Sequence, residues 1–491
     1  MERVRRILDY FPGPVSKAAG TPRSRWFFAA ALALAAAALG YAIHIRDGEY
    51  WPDAIDWLTV ALVLTVAGVT LPSWPDASGR TTSLVLPAVA AAVFFQFFQL
   101  LRSPPGGWNW WSDDVKAATE AGFRFYYTGV AVAAALAIGL LFDHRRLRVA
   151  CVCGLLAVHL LLGAWMIRAS PSPHIDVFVF QQEGPRALLD GVNPYTITFT
   201  DIYHGTEQEK DRQVYGHGLS EQGKLKFGFP YPPLSLYFAT LGYVIAGDHR
   251  YAQLVALTLA GVFIALSSPG RLAALAAVLL LFTPRAFFVL GRGWTEPFGV
   301  CLLAFTVCCS CRWPKLVPVA FGLLLAIKQY MVFAVPLGLL LVPRPLTWRG
   351  VVRFYVLAFI AAAVVSAPLV LWDWGAFYYS AATVQKVAPF RQDALSYLVW
   401  FYFKTGRQPG LAAALVGVVV GVALSLWRAP RDAAGFAGAV ALTYLPFIAL
   451  NKQAFANYYF FVIGALACAV AATALRQHAP VQPKSPEASV R

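Results

Sequence analysis

The chain has 491 residues, of which 58% are hydrophobic and only 13% charged, where a soluble domain carries roughly 25% charged residues. Its apolar residues fall in long blocks, without the amphipathic helices that would build a water-facing surface, which excludes a soluble globular fold. The net charge of +15 is therefore assigned first to cytoplasmic loops that orient a membrane chain and meet anionic lipid, and no nucleic-acid partner is expected.

Residues 1–26 are basic (Arg3, Arg5, Arg6, Lys17, Arg23, Arg25), but the apolar run after them is too long for a signal-peptide core. It lacks a clear small-residue cleavage site and reads as a retained first helix. Runs of about 18 apolar residues suffice to cross a ~30 Å hydrocarbon layer. On that basis the expected spans are 27–44, 55–72, 84–101, 125–142, 150–168, 252–268, 272–290, 297–312, 316–328, 331–343, 351–371, 410–427, 434–450 and 457–475. Spans 316–328 and 331–343 are short and fit a hairpin that does not cross fully.

With the basic N-terminus inside, the loops holding Arg145, Arg146 and Arg148, Arg312 and Lys315, Arg344 and Arg349, and Arg428 and Arg431 all fall inside, as does the tail with Arg476. Both termini are thus expected in the cytoplasm, with the chain in the plasma (inner) membrane. Residues 169–251, 372–409 and the turn Asn451–Tyr458 fall outside. Tyr231–Ala246 is apolar enough to span, but counting it would reverse every later loop, so it reads as a helix lying at the outer interface. The expected architecture is an all-α polytopic bundle of about 14 transmembrane helices, divided into a four-helix module (1–148), a core (149–476) with an outer loop (169–251), and a disordered tail (477–491).

The seven cysteines lie in or beside apolar runs, which argues against a disulfide framework. Cys308-Cys309-x-Cys311 lacks a partnering His or second Cys pair and reads as packing rather than a metal site. No Walker-type loop, G-x-S-x-G or H-E-x-x-H occurs.

Four clusters at the outer ends of spans carry candidate chemistry. They are His174-Ile-Asp176 with the following Arg186, Asp190 and Asn193-Pro-Tyr195; Phe229-Pro-Tyr231-Pro-Pro-Leu234; Arg292-Gly-Trp-Thr-Glu296-Pro297; and a group of Lys328-Gln329-Tyr330, Arg391-Gln-Asp393, Asn451-Lys452-Gln453 and Asn457-Tyr458-Tyr459. Charges near a membrane interior are costly and mark substrate paths. Carboxylates (Asp176, Glu296, Asp393) and cations (Arg292, Lys328, Arg391, Lys452) from distant stretches land on one side of the bilayer. Transfer of a group from an anionic lipid needs that mixture, one acid to take a proton and several cations to hold the departing phosphate. Taken singly, each has a plainer reading: Asp176 as a solvated acid, the lysines as snorkelling to headgroups, and Glu296 beside Pro297 as a helix cap. Asp176 and Glu296 together would be the place for a divalent cation, although no metal or other cofactor is expected.

The order of an acid beyond a span, Ala187-Leu-Leu-Asp-Gly-Val-Asn-Pro-Tyr195 and Tyr231-Pro-Pro-Leu234 resembles the GT-C integral-membrane glycosyltransferases, in particular the bacterial polyprenyl-phosphate-mannose-dependent α-mannosyltransferases, over residues 165–475. The resemblance implies an inverting transfer of a sugar, mannose or a related hexose or pentose, from a polyprenyl-phosphate donor to a glycolipid or glycan acceptor of the cell envelope on the outer face. It places the general base at Asp176 and the leaving-phosphate contacts at Arg292, Lys328, Arg391 and Lys452. Glu296, Asp393, Tyr195, Tyr231, Gln329, Gln453 and Tyr458 are the candidate substrate-binding residues. The family's catalytic loop follows its first span, whereas four spans precede the equivalent helix here, which leaves a second candidate loop at 102–124 with Asp113 and Asp114. A transporter or flippase of lipid-linked sugars is the alternative. It would place polar residues at mid-bilayer in duplicated halves, which this sequence does not show.

Overall fold

The structure is a computed structural model that describes residues 26–71, 84–106, 113–206, 214–410 and 412–473, without the side chains of 113–121. The basic segment before residue 26, the side chains of Asp113 and Asp114, and the tail 477–491 with Arg476 lie outside the described residues. The first helices are α1 (Trp26–Ile45), α2 (Pro52–Thr70), α3 (Val85–Arg102), α4 (Asp113–Gly139) and α5 (Arg145–Ala169). Next come α6 (Asp176–Leu189), a two-stranded hairpin of β1 (Ser220–Glu221) and β2 (Lys224–Leu225), α7 (Pro233–Ala246) and α8 (Arg250–Ser267). They are followed by α9 (Arg271–Leu281), α10 (Ala286–Arg292), α11 (Glu296–Arg312), α12 (Val317–Leu325) and two 3-10 stretches, Gln329–Ala334 and Pro336–Leu340. The chain ends with α13 (Trp348–Trp372), α14 (Trp374–Tyr378), α15 (Val384–Lys386), α16 (Tyr397–Thr405), α17 (Ala412–Arg428), α18 (Ala433–Ala449) and α19 (Ala456–Ala472).

Seven of these helices (α1 to α5, α8 and α13) are long and apolar enough to cross a membrane, and α9 with α10 makes an eighth if the bent pair is one span. The protein is therefore a mostly helical, multi-pass membrane protein. The α9–α10 pair departs from the single straight span expected at 272–290: the two helices meet at 48°. Pro284 has no amide hydrogen to continue the ladder, and Arg285 takes a left-handed φ of 74° that a helix cannot hold. The expected pair 316–328 and 331–343 is a short hairpin whose second arm is 3-10 rather than α. In the part of the outer loop before Tyr231, where the sequence suggests no element, Asp176–Leu189 forms a helix.

Small residues set how closely the helices pack. Gly417 and Gly421, one turn apart on α17, lie against α18, and a Cβ at Gly421 would come within 2.7 Å of Thr443 Cα. This is the small-xxx-small contact that lets membrane helices approach backbone to backbone. Alanine-rich α1 is almost wholly buried and packs on α2, α3 and α19, so the N-terminal helices share one apolar core with the C-terminal ones. By contrast α13 is largely exposed, with Phe359, Val364 and Leu371 on its outer face. Its 25 residues rise roughly 37 Å at 1.5 Å each. Trp348 stands at one end and Trp372 and Trp374 at the other, where interfacial aromatics settle.

Two arginines, one buried and one partly buried, tie together the end of the bundle that holds the outer loop. Arg250, fully buried, donates to the carbonyls of Ser170 (2.7 Å) and Gly291 (2.9 Å), joining the C-terminal ends of α5 and α10. Arg285 donates to the carbonyls of His44 and Pro104, both at 3.0 Å, and pairs with Asp47, joining α1 and α3 to the α9–α10 break. Each satisfies carbonyls that a helix end leaves open.

Candidate functional site

Asp176 opens α6, where the partial positive charge of the helix N-terminus favours an acid. Its Oδ1 accepts from the Val177 amide at 2.8 Å and its Oδ2 from the Tyr215 hydroxyl at 3.1 Å, while its own amide donates to Tyr203 Oη at 3.4 Å. The β1–β2 hairpin holds the segment bearing these tyrosines in place. Leu225 pairs its amide with the Phe199 carbonyl at 2.8 Å, and Asp201, which accepts from the Ser220 hydroxyl, also accepts the Tyr203 amide at 3.0 Å. Burial raises the Asp176 pKa above the usual carboxylate range; the bonds from Tyr215 and Val177 and the charge of Arg391 draw it partway back. A carboxylate in that state is a stronger base than a solvated one.

The Asn-Pro-Tyr and Tyr-Pro-Pro motifs meet. Asn193 Oδ1 accepts the Tyr195 amide at 3.0 Å, closing an Asx turn that ends the α6 segment. The Pro194 carbonyl accepts from the Phe229 amide at 2.9 Å, and Tyr195 Oη donates to the Tyr231 carbonyl at 2.7 Å. Gly228 lies so near that a Cβ there would sit 2.2 Å from the Tyr195 carbonyl oxygen. Gln329 donates to the carbonyls of Pro230 (2.6 Å) and Ala381 (2.9 Å), fastening the same segment from the other side. The motif thus places Tyr231, and Tyr195 does so from a buried position off the cavity wall.

Lys328 sits at the tip of the α12 hairpin, only 6% exposed. Its Nζ bonds Glu296 Oε1 and lies 5.2 Å from the ring centres of Tyr231 and Tyr458 and 5.5 Å from that of Tyr330. The Tyr330 hydroxyl also donates to Glu296 Oε1, at 3.2 Å. Three aromatic faces and one carboxylate surround the ammonium and fix its position. Glu296 lies beneath Lys328, away from the cavity wall, so its partners here are the cation and a tyrosine.

Arg391 grips Asp393 with two bonds of 2.9 and 2.6 Å and stacks 5.0 Å from the Phe455 ring. Burial works against its charge, and Asp393 more than restores it, leaving the Arg391 pKa raised. Lys452, whose pKa burial lowers, donates to the carbonyls of Ala388 and Lys386, and Gln453 donates to Pro389 at 3.4 Å. These two residues secure the 386–389 stretch. Arg292 lies 5.5 Å from the Phe288 ring at the end of α10, its turn fixed by Gln181 and Gln253 donating to the Gly293 carbonyl.

Asp176, Arg292, Lys328, Arg391 and Lys452 all line one cavity of about 510 Å³, together with Asp393, Tyr231, Gln329, Gln453 and Tyr458. Val332, Phe333, Leu415, Phe447 and Ile448 give this same cavity an apolar side, and Val332 and Leu415 are exposed on the bundle surface. Five polar residues of the wall are not among the candidates read from the sequence: Asp47, Glu49, Tyr203, Tyr215 and Gln385. The first two lie in the α1–α2 loop, an outer loop under the charge-based orientation, and that placement was the available signal. Among the described residues no group of three or more His, Cys, Asp or Glu side chains is arranged to hold a metal ion.

No family model and no curated protein matches the chain. Among solved structures, the crystal structure of ArnT from Cupriavidus metallidurans bound to undecaprenyl phosphate is similar, with 16% identity, a TM-score of 0.41 and coverage of 66% of this chain. The match spans 59% of the length of that structure.

Proposed function

We propose that the protein is a GT-C-type glycosyltransferase that moves a sugar from a polyprenyl-phosphate carrier to a glycolipid or glycan of the cell envelope. The observation that carries this reading is the double character of the cavity: one side presents four cations beside four carboxylates, Asp176 among them, and the other is apolar and reaches the bundle surface between the 3-10 hairpin arm and α17. A ligand with an anionic head and a hydrocarbon tail in the bilayer matches that division. The motif order around Asp176, Tyr195 and Tyr231 supports the same family. About 14 crossings, both termini in the cytoplasm and α7 at the outer interface complete the topology, with the cavity on the extracytoplasmic side of the inner membrane. Mannose is the sugar that the motif resemblance favours.

In the mechanism, Asp176 takes the proton of an acceptor hydroxyl. The resulting oxygen attacks the anomeric carbon as the bond from that carbon to the carrier's phosphate oxygen breaks, inverting the centre. The phosphate leaves as an anion and needs no proton when cations stabilise it. Lys328 and Arg292 carry charge to this wall, and Arg391 adds charge that Asp393 tethers. Tyr231 and Tyr458 line the cavity beside Lys328, where a sugar ring would meet them. An Asp176→Asn allele tests the reading in cells: one envelope glycan or glycolipid should lose a sugar while the variant still accumulates in the membrane. An unchanged envelope would count against transfer at this site.

A further inference from the structure

We propose, resting on the reading above, that the saccharide of the acceptor lies in a second cleft along the outer face of α6, the helix that Asp176 opens. This cleft, of about 260 Å³, is lined by Phe178, Val179, Gln182, Glu183 and Arg186 of one helix face, together with His174 and Ile202. His174 also lines the cavity that holds Asp176, so one side chain is a wall of both spaces. Ile175 between them is extended, with φ −156° and ψ 137°. Asp176 therefore follows His174 by about 7 Å of backbone, within the reach of a sugar ring.

The cleft is built by contacts on each side. Gln182 donates to the Gly247 carbonyl at 2.6 Å and accepts the His249 amide at 3.4 Å, fixing α6 against the turn between α7 and α8. His174 Nε2 donates to the Ile202 carbonyl at 3.0 Å, and its ring meets that of Tyr203 edge-on at 5.4 Å. The Tyr203 hydroxyl accepts the Asp176 amide, so the segment that places the base also closes the cleft. Glu183 and Arg186 stand exposed one turn apart on the helix, and Arg186 Nε donates to Tyr243 Oη at 3.3 Å.

The chemistry selects the ligand. A carboxylate accepts, a guanidinium donates, and a sugar hydroxyl does both. Glu183 and Arg186 together therefore suit the neighbouring hydroxyls of a neutral ring. None of the four cations of the main cavity lines the cleft, and Glu183 repels a phosphate. A hydrocarbon tail would desolvate both charged groups and give them no partner. The face from Phe178 to Arg186 runs roughly 12 Å at 1.5 Å per residue, long enough for more than one sugar ring. The acceptor class is thus an oligosaccharide chain whose end crosses His174 to bring its hydroxyl to Asp176.

The test uses the full-length purified protein, labelled polyprenyl-phosphate hexose as donor, extracted envelope glycolipid as acceptor, and the variants Glu183→Gln and Arg186→Gln. Each variant should raise the acceptor KM about tenfold with a smaller change in kcat. The donor KM and the affinity for bare polyprenyl phosphate should stay at the wild-type values, which also reports an intact fold. Variants with an unchanged acceptor KM overturn the assignment. So does a loss of donor affinity in step with the acceptor, because the face would then serve the donor or the fold. Wild type that transfers no label overturns the transferase reading itself, a result distinct from failure of the cleft alone.

Discussion

The Tyr215 hydroxyl donates to Asp176 Oδ2 at 3.1 Å, across 39 residues of outer loop. Tyr215 favours the charged form of an acid that burial otherwise pushes toward the neutral one. The direction of the pH effect follows. Asp176 must be ionised to accept a proton, so kcat/KM should rise with pH through a midpoint above the usual carboxylate range. Tyr215→Phe removes a bond to the ionised form and should move that midpoint higher. A pH–rate profile of the two proteins checks it; a midpoint that stays or falls in the variant contradicts the assignment.

Arg391 faces the same carboxylate and also favours its charge. Arg391→Gln should therefore shift the acidic limb in the same direction as Tyr215→Phe, and it should also lower kcat, because a charge near the leaving phosphate is lost. Loss of one such preorganised group costs on the order of 10²–10³ in kcat. Steady-state rates measured across pH separate the two effects.

Glu296 should act through Lys328. Glu296→Gln leaves a buried ammonium without its counter-charge, a loss of roughly 3–5 kcal/mol where both groups are desolvated. The outcome to look for is a lower melting temperature in detergent together with reduced kcat. Glu296→Asp, which keeps the charge, should recover part of both. Equal activity in all three proteins would show that the pair has no part in transfer.

The clamp between the two motifs predicts a mild and a severe change. Tyr195→Phe removes the bond to the Tyr231 carbonyl and should cost about 1 kcal/mol of stability. Gly228→Ala forces a Cβ against the Tyr195 carbonyl oxygen and should cost more, since the contact is backbone to backbone. Thermal unfolding in a common detergent ranks the two, and the reverse order would contradict the packing described.

Much of the fold is written in hydropathy. Every expected span contains a helical element, because about 18 apolar residues have few alternatives in a bilayer. Less legible was what depends on a single turn. The Thr283-Pro284 step bends the α9–α10 pair, and no run of apolar residues announces it. Asp176 and Lys328 were readable because a charge at the end of an apolar run stands out against its neighbours. Asp47 and Glu49 were not, since an acid in a short polar loop looks ordinary until Gly48 is seen lying on Ala456. Tyr203 and Tyr215 belong to the polar stretch between motifs, where only the hairpin reveals which side chains turn toward Asp176. Glu296 and Tyr195 show the converse: residues singled out in sequence serve from behind the wall.

The most direct measurement is transfer by the purified protein from labelled polyprenyl-phosphate sugar to envelope glycolipid, wild type against Asp176→Asn. The account predicts labelled product of inverted configuration from wild type and a loss of about 10²–10⁴-fold in the variant, the range of a missing general base. Transfer at an undiminished rate by Asp176→Asn would contradict it.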